Sequence, residues 1–345
     1  MTERDPSSNA STRAEAAWAS LVSRCLVRTR DDQLAVRDGP RRSAPLAALW
    51  PFGQVLAASA AVVPLGLPNS ASVVAPLLLA LERYRSEHGY GPFPGDRTRY
   101  FDDNAWIALD LLQLASVTKD RSFVQAAAEL FGFLKEGEGE NGGVYWVEGE
   151  LSRNTCATAP TAQVALRLFD ATGDAEYLDF AQRQMAFLDR ELRDARGLYL
   201  DHLRADGSVE PTVWSYNQGT PIGAAVLLAK LTEDRAWLGQ AIETALAADD
   251  FFRQGDGWWR QPPVFNAIFF RNLLALLAVA PDAQLLDVLD GYMDRVWSQA
   301  RQRRTGLFVG GGIGSYDGRP TIDHAGLTQV FAFRAWPRER WSEIC

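Results

Sequence analysis

Lysine, histidine and cysteine are scarce in this chain of 345 residues. Lysine occurs only at 119, 135 and 230, which reads as the arginine bias of a GC-rich gene rather than a guanidinium-based function. Cys25, Cys156 and Cys345 are odd in number and form no CxxC, which argues against a disulfide framework or zinc site and fits a reducing compartment. His88, His202 and His324 are the only histidines. Each is read as structural or surface, with a rim role open to His324 in TIDHAG. No HExxH, Walker or GxGxxG pattern occurs, and GGGIG at 310–314 reads as a flexible rim segment rather than a phosphate cradle. No metal or cofactor is expected. The net charge of −8 and pI near 5.1 argue against a nucleic-acid partner. The most apolar stretch, VLAASAAVVPLGLP, is short and broken by Pro64 and Pro68, so no membrane span is expected. The first residues carry no apolar signal core. The expected protein is a cytoplasmic monomer, with a disordered tail over 1–11 and one domain over 12–345.

What the chain does have is helical periodicity and an internal repeat. TKDRSFVQAA (118–127), TGDAEYLDFA (172–181) and TEDRAWLGQA (232–241) align without gaps, and APDAQLLDVL (280–289) is a weaker copy. Asp120, Asp174 and Asp234 read as helix N-caps, and Phe123, Tyr177 and Trp237 as buried-face aromatics. A spacing of fifty to sixty residues suits a two-helix unit. One helix set, near 44–60, 103–117, 155–171, 217–232, 264–280 and 321–335, is apolar and rich in small residues. The other, near 13–28, 71–88, 121–135, 175–192, 234–250 and 284–303, is amphipathic. An inner and an outer ring of six follow: an all-α (α/α)6 barrel. A solenoid would not need one wholly buried set. GGVYWVEG and GLYLDHL read as small hairpins between helices.

Parallel inner helices bring the loops that enter them to one end. Those loops hold Trp50, Trp106, Trp146, Trp214, Trp258 and Trp259, six of eleven tryptophans, with glycines and amides. Aromatic faces beside hydrogen-bonding groups suit carbohydrate. In RYFDDNAW (99–106) one of Asp102 and Asp103 can cap a helix; the second is not needed for that. Glycoside hydrolysis uses two carboxyl groups, and two close together raise the pKa of one.

YFDDNAW, WSYNQG and the intervening TGDAEYLDFA resemble glycoside hydrolase family 76, the endo-α-1,6-mannanases and related transglycosidases, over roughly residues 80 to 280. The resemblance implies an (α/α)6 fold and retaining cleavage of α-1,6-mannosidic bonds in α-mannan or manno-oligosaccharides. It makes Asp102 the nucleophile and Asp103 the general acid/base. It implies substrate contacts from Tyr100, Asn104 and Trp106 around the pair and from Tyr145 and Trp146 in GGVYW. Further contacts are implied from Asn154 in RNTCA, from Trp214, Tyr216, Asn217 and Gln218 in WSYNQG, and from Arg271 in FNAIFFRNL. The chain departs from the family pattern at Phe101, where tyrosine is usual, at Thr158, where asparagine is common, and at Pro160, which interrupts a helix start. Transglycosylation and a non-catalytic glycan-binding barrel are the alternatives. The scarce histidines disfavour a sugar epimerase on the same barrel.

Overall fold

The computed structural model describes residues 6–40 and 43–344. Its helices are α1 (Pro6–Cys25), α2 (Leu49–Val62), α3 (Val74–Leu81), α4 (Phe101–Thr118), α5 (Ser122–Glu136), α6 (Thr155–Thr172), α7 (Ala175–Phe187), α8 (Ser215–Thr232), α9 (Arg235–Arg253), the single turn α10 (Gly257–Arg260), α11 (Pro263–Val279), α12 (Ala283–Arg295) and α13 (Pro320–Ala335). The helices α2, α4, α6, α8, α11 and α13 each pack on the next, and α13 closes the ring on α2. Most residues of these six are buried, on every face, whereas α5, α7, α9 and α12 bury one face only. This is an (α/α)6 barrel. One apolar core runs from Ala10 to Ile344.

The sixth hairpin is split between the chain ends, because α13 takes α1 as its outer partner. The expected tail over 1–11 is therefore corrected from residue 6 onward. The helix starts at Pro6, and Ala10, Ala14, Ala17 and Trp18 are buried in the common core; residues 1–5, like Cys345, lie outside the described part. A second correction concerns the outer helix expected near 71–88. Only Val74–Leu81 is α-helical, and Arg85–Ser86 (β1) then pairs antiparallel with Gly89–Tyr90 (β2). Asn104 draws the backbone of Tyr90 out of helix, accepting its N–H at 2.8 Å and donating to its carbonyl at 3.0 Å. A third concerns Pro160, which lies inside α6 without breaking it; so near the start, it leaves a single carbonyl without its donor.

The Thr-x-Asp repeat is the inner-to-outer turn. Thr118, Thr172 and Thr232 end inner helices, each hydroxyl donating at 2.7 Å to the carbonyl four residues back. Lys119, Gly173 and Glu233 turn the chain at φ of +61°, +76° and +59°. Asp120, Asp174 and Asp234 then accept the amides of Ser122, Glu176 and Ala236 at 2.9, 3.1 and 2.9 Å. Asp282 caps α12 in the same way, on Leu285 at 3.0 Å. Phe123, Tyr177 and Trp237 pack half-buried against the core.

The left-handed turn residue carries strain when it has a Cβ. Lys119→Gly and Glu233→Gly are each expected to stabilise the fold by about 1 kcal/mol, read from urea unfolding midpoints. Gly173→Ala, in open space, is expected to cost a similar amount; unchanged midpoints in all three would show that the turn is unstrained.

Candidate active site

The N-terminal ends of all six inner helices border one cleft of about 780 Å³, which shows that the six run parallel. Second residues of inner helices face it: Trp50 on α2, Asp102 on α4, Cys156 on α6 and Tyr216 on α8. On α11 the third residue, Phe265, takes that place, and Asp103 stands beside Asp102.

Asp102 and Asp103 are placed by backbone pairing upstream of α4. Tyr100 bridges antiparallel to Val147. The Phe101 amide donates to the Trp146 carbonyl at 2.9 Å, and that of Glu148 to Arg99 at 3.0 Å. The buried Arg99 guanidinium holds Glu148 through two hydrogen bonds of 3.0 and 2.6 Å. This register brings the Trp146 ring beside Asp102, and its Nε1–H donates to Asp102 Oδ2 at 2.9 Å. Asp102 Oδ1 accepts the Asp103 amide at 2.8 Å, and the Cys156 thiol lies 3.6 Å from Oδ2. Burial pushes the Asp102 carboxyl up to about 6 against the pull of these three donors. Asp103 is pushed well above the usual carboxylate range, by burial first and by the charge of Asp102 second. Two adjacent groups thus divide one proton, with the hydrogen-bonded Asp102 the better holder of negative charge.

Aromatic rings floor the cleft around Phe265. Tyr216 stacks on it at 4.1 Å, Trp214 meets it edge-on at 5.4 Å, and Trp50 and Tyr316 lie 6.0 and 5.8 Å away. Tyr316 also meets Trp50 at 4.5 Å and feels the charges of Asp103 and Asp102. Asp38, Glu150, Asp201 and Asp317 add carboxylates to the cleft, against Arg319. His202 is its one histidine among the described residues, and its Nδ1 lies 3.0 Å from Asp201. His324 is buried: its Nε2 lies 3.0 Å from the Ala17 carbonyl, and burial lowers it to about 4. The rim role left open for it is therefore not filled. The GGGIG segment is built rather than loose. Gly314 donates to the Trp259 carbonyl at 2.9 Å, and a Cβ at Gly311 would meet the Gln299 carbonyl at 2.5 Å.

Of the residues read from sequence, Trp50, Tyr100, Asp102, Asp103, Trp146, Asn154, Trp214 and Tyr216 line the cleft. The others do not, and helix rotation gives the reason. Asn104 and Gln218 are fourth residues of α4 and α8, about 200° around the helix from the second. Gln218 accepts the Tyr199 amide and donates to its carbonyl, both at 2.8 Å, as Asn104 does at Tyr90. Thr158, accepting the Val144 amide at 2.9 Å, and Asn266, donating to the Trp258 carbonyl at 2.7 Å, are the fourth residues of α6 and α11. These side chains fix the loops' backbone rather than substrate. Asn217 is buried and donates to Asp201 Oδ1 at 3.1 Å, so it supports a cleft carboxylate from below. Arg271 lies about 12 Å down α11, buried and facing the charge of Asp110. Trp106 is core. Tyr145 and Trp146 are neighbours in an extended segment, so only one can face the cleft. Trp258 and Trp259 pack instead on Phe270 and Tyr292. Sequence reading missed Cys156, Asp201, Phe265 and Tyr316. Setting the inner-helix starts in register would have found Cys156.

Holding the pair this way costs stability. Unfolded, both carboxyls titrate near 4. In the fold their values are raised, so the folded state keeps protons that the unfolded chain loses, and stability falls as pH rises from about 4 through the folded values. Asp103→Asn is therefore expected to stabilise the protein at pH 7, on the order of 1–2 kcal/mol, with the gain vanishing toward pH 4. Thermal melts at the two pH values measure it; a destabilised variant at pH 7 would contradict the desolvated pair.

The sequence profile of glycosyl hydrolase family 76 matches residues 48–325. No curated protein sequence matches the chain. Among solved structures, the family 76 mannosidase Bt3792 of Bacteroides thetaiotaomicron VPI-5482 superimposes with a TM-score of 0.83 at 23% identity, over 95% of this chain and 98% of that one. An inactive variant of the α-1,6-mannanase of Salegentibacter sp. HEL1_6, with two consecutive aspartates changed to asparagine and in complex with α-1,6-mannotriose, gives 0.77 at 20% identity, over 94% and 99%. A D-mannose isomerase gives 0.71 at 14%, over 95% and 97%. At these identities the likeness is one of fold, and that fold hosts more than one chemistry.

Proposed function

The chain belongs to glycosyl hydrolase family 76 and is a glycoside hydrolase, and on that premise we propose that it cleaves α-1,6-mannosidic bonds with retention, using Asp102 as nucleophile and Asp103 as general acid/base. The observation that carries the assignment is the unequal setting of the two carboxyls. Asp102 has three donors on it, whereas burial and the charge of Asp102 push the Asp103 carboxyl well above the usual carboxylate range, toward holding its proton. A nucleophile must be ionised and an acid must hold a proton at the same pH. The Salegentibacter variant, inactive with two consecutive aspartates replaced and bound to α-1,6-mannotriose, supports the linkage and the pair.

In the first step Asp103 gives its proton to the glycosidic oxygen as Asp102 attacks the anomeric carbon. The C–O bond to the leaving sugar breaks and a glycosyl ester forms on Asp102. In the second step Asp103, now a carboxylate, takes a proton from water, whose oxygen displaces Asp102 from the same carbon. Two inversions restore the starting configuration. The aromatic floor offers faces for the sugar's C–H groups, and Asn154, Asp201 and His202 border the cleft where hydroxyls need partners.

The test is hydrolysis of linear α-1,6-mannan and of an activated aryl α-mannoside by the wild type and two variants. Asp102→Ala is expected to be inactive on both substrates. Asp103→Ala is expected to lose about 10²–10⁴-fold on mannan yet still form the glycosyl-enzyme from the aryl substrate, with azide rescuing turnover because a small anion attacks without base assistance. The reversed pattern would exchange the two roles; full activity on mannan in both variants would leave the pair a helix cap.

A further inference from the structure

Cys156 takes no part in the bond changes above, yet it is the second residue of α6, in register with Asp102 on α4. It lines the cleft while only 3% exposed. Its thiol lies 3.6 Å from Asp102 Oδ2, the oxygen that also accepts Trp146 Nε1–H at 2.9 Å. The Tyr216 hydroxyl is also within hydrogen-bonding reach of the sulfur. The thiol is raised well above its usual range by burial and by the charge of Asp102, so it stays protonated and donates. An S–H is a weak donor. It orients the carboxylate without drawing off the electron density that attack on the anomeric carbon needs.

We propose that Cys156 is a positioning residue of this hydrolase, donating its S–H to Asp102 and setting how readily that carboxylate ionises and attacks. The proposal rests on the assignment of Asp102 as nucleophile. The groups facing Asp102 from the surrounding elements are Asp103 on α4, Tyr100 and Trp146 from the loops before α4 and α6, Cys156 on α6, Tyr216 on α8 and Tyr316 before α13, with Asp201 beyond Cys156. The tyrosines are raised by burial and stay neutral in the working range. The acid limb of activity then reports Asp102 and its donors, with Asp103 coupled to it.

Two substitutions change only the donor. Cys156→Ser replaces S–H with a stronger O–H donor of nearly the same shape, and Cys156→Ala removes the donor. Two readouts are taken on each: the acid limb of kcat/KM on an aryl α-mannoside, and the pKa of Asp102 from carboxyl ¹³C NMR titration. Both are expected to move together, down by about half a unit in the serine variant and up by about half a unit in the alanine variant, with kcat lower for serine because its carboxylate is a poorer nucleophile. A merely structural cysteine would lower activity without this ordering. An NMR pKa that is the same in all three proteins overturns the proposal and leaves the function standing. An NMR pKa that moves while the acid limb does not overturns the assignment of Asp102 as nucleophile, and the positioning role with it.

Discussion

Six parallel helices that end together leave six sets of unpaired backbone amides and six positive dipole ends at one face of the barrel. That concentration of positive potential must be met, and the way the chain meets it is the site. Asp102 and Asp103 stand in the first turn of α4, and further carboxylates border the cleft. The incoming loops, too irregular to pair with one another throughout, are held by side chains four residues into the inner helices: Asn104, Thr158, Gln218 and Asn266. An oxocarbenium-like transition state would be disfavoured at bare helix N-termini; on the proposed mechanism the carboxylates would reverse the sign of the local field where that charge develops.

The same arrangement explains what could be read from sequence and what could not. The Thr-x-Asp repeat was legible because it is local: a helix end, a left-handed residue and a cap lie within three positions, and their chemistry does not depend on the rest of the fold. The two helix sets were legible because a wholly buried helix and a one-faced helix differ in composition. Motif residues were harder. A motif places neighbours together in sequence, but an α-helix turns each by about 100° from the last. In YFDDNAW the aspartates therefore reach the cleft, whereas Asn104 holds Tyr90 and Trp106 enters the core. In WSYNQG only Trp214 and Tyr216 arrive. Phe265 opens FNAIFFRNL, a segment that points to Arg271 instead, and Tyr316 belongs to no motif; only the ring closure brings the two to the carboxylates.

Likeness of fold does not assign the chemistry, since a D-mannose isomerase shares the architecture. The side chains on this barrel do separate the possibilities. Its cleft offers two coupled, desolvated carboxyls with different hydrogen-bonding partners and a single histidine among the described residues. The cost of burying that pair falls on stability, and the barrel's continuous core absorbs it.

The claim on which this account turns is that Asp102 becomes covalently bonded to the sugar. A 5-fluoro-mannosyl fluoride tests it directly. Its fluorine at C5 slows both steps while the fluoride leaving group restores the first, so the glycosyl-enzyme accumulates. Proteolysis and tandem mass spectrometry should then find one fluoromannosyl group per chain, on Asp102. A label on Asp103, or time-dependent turnover with no labelled peptide and an inverted sugar product, would contradict it.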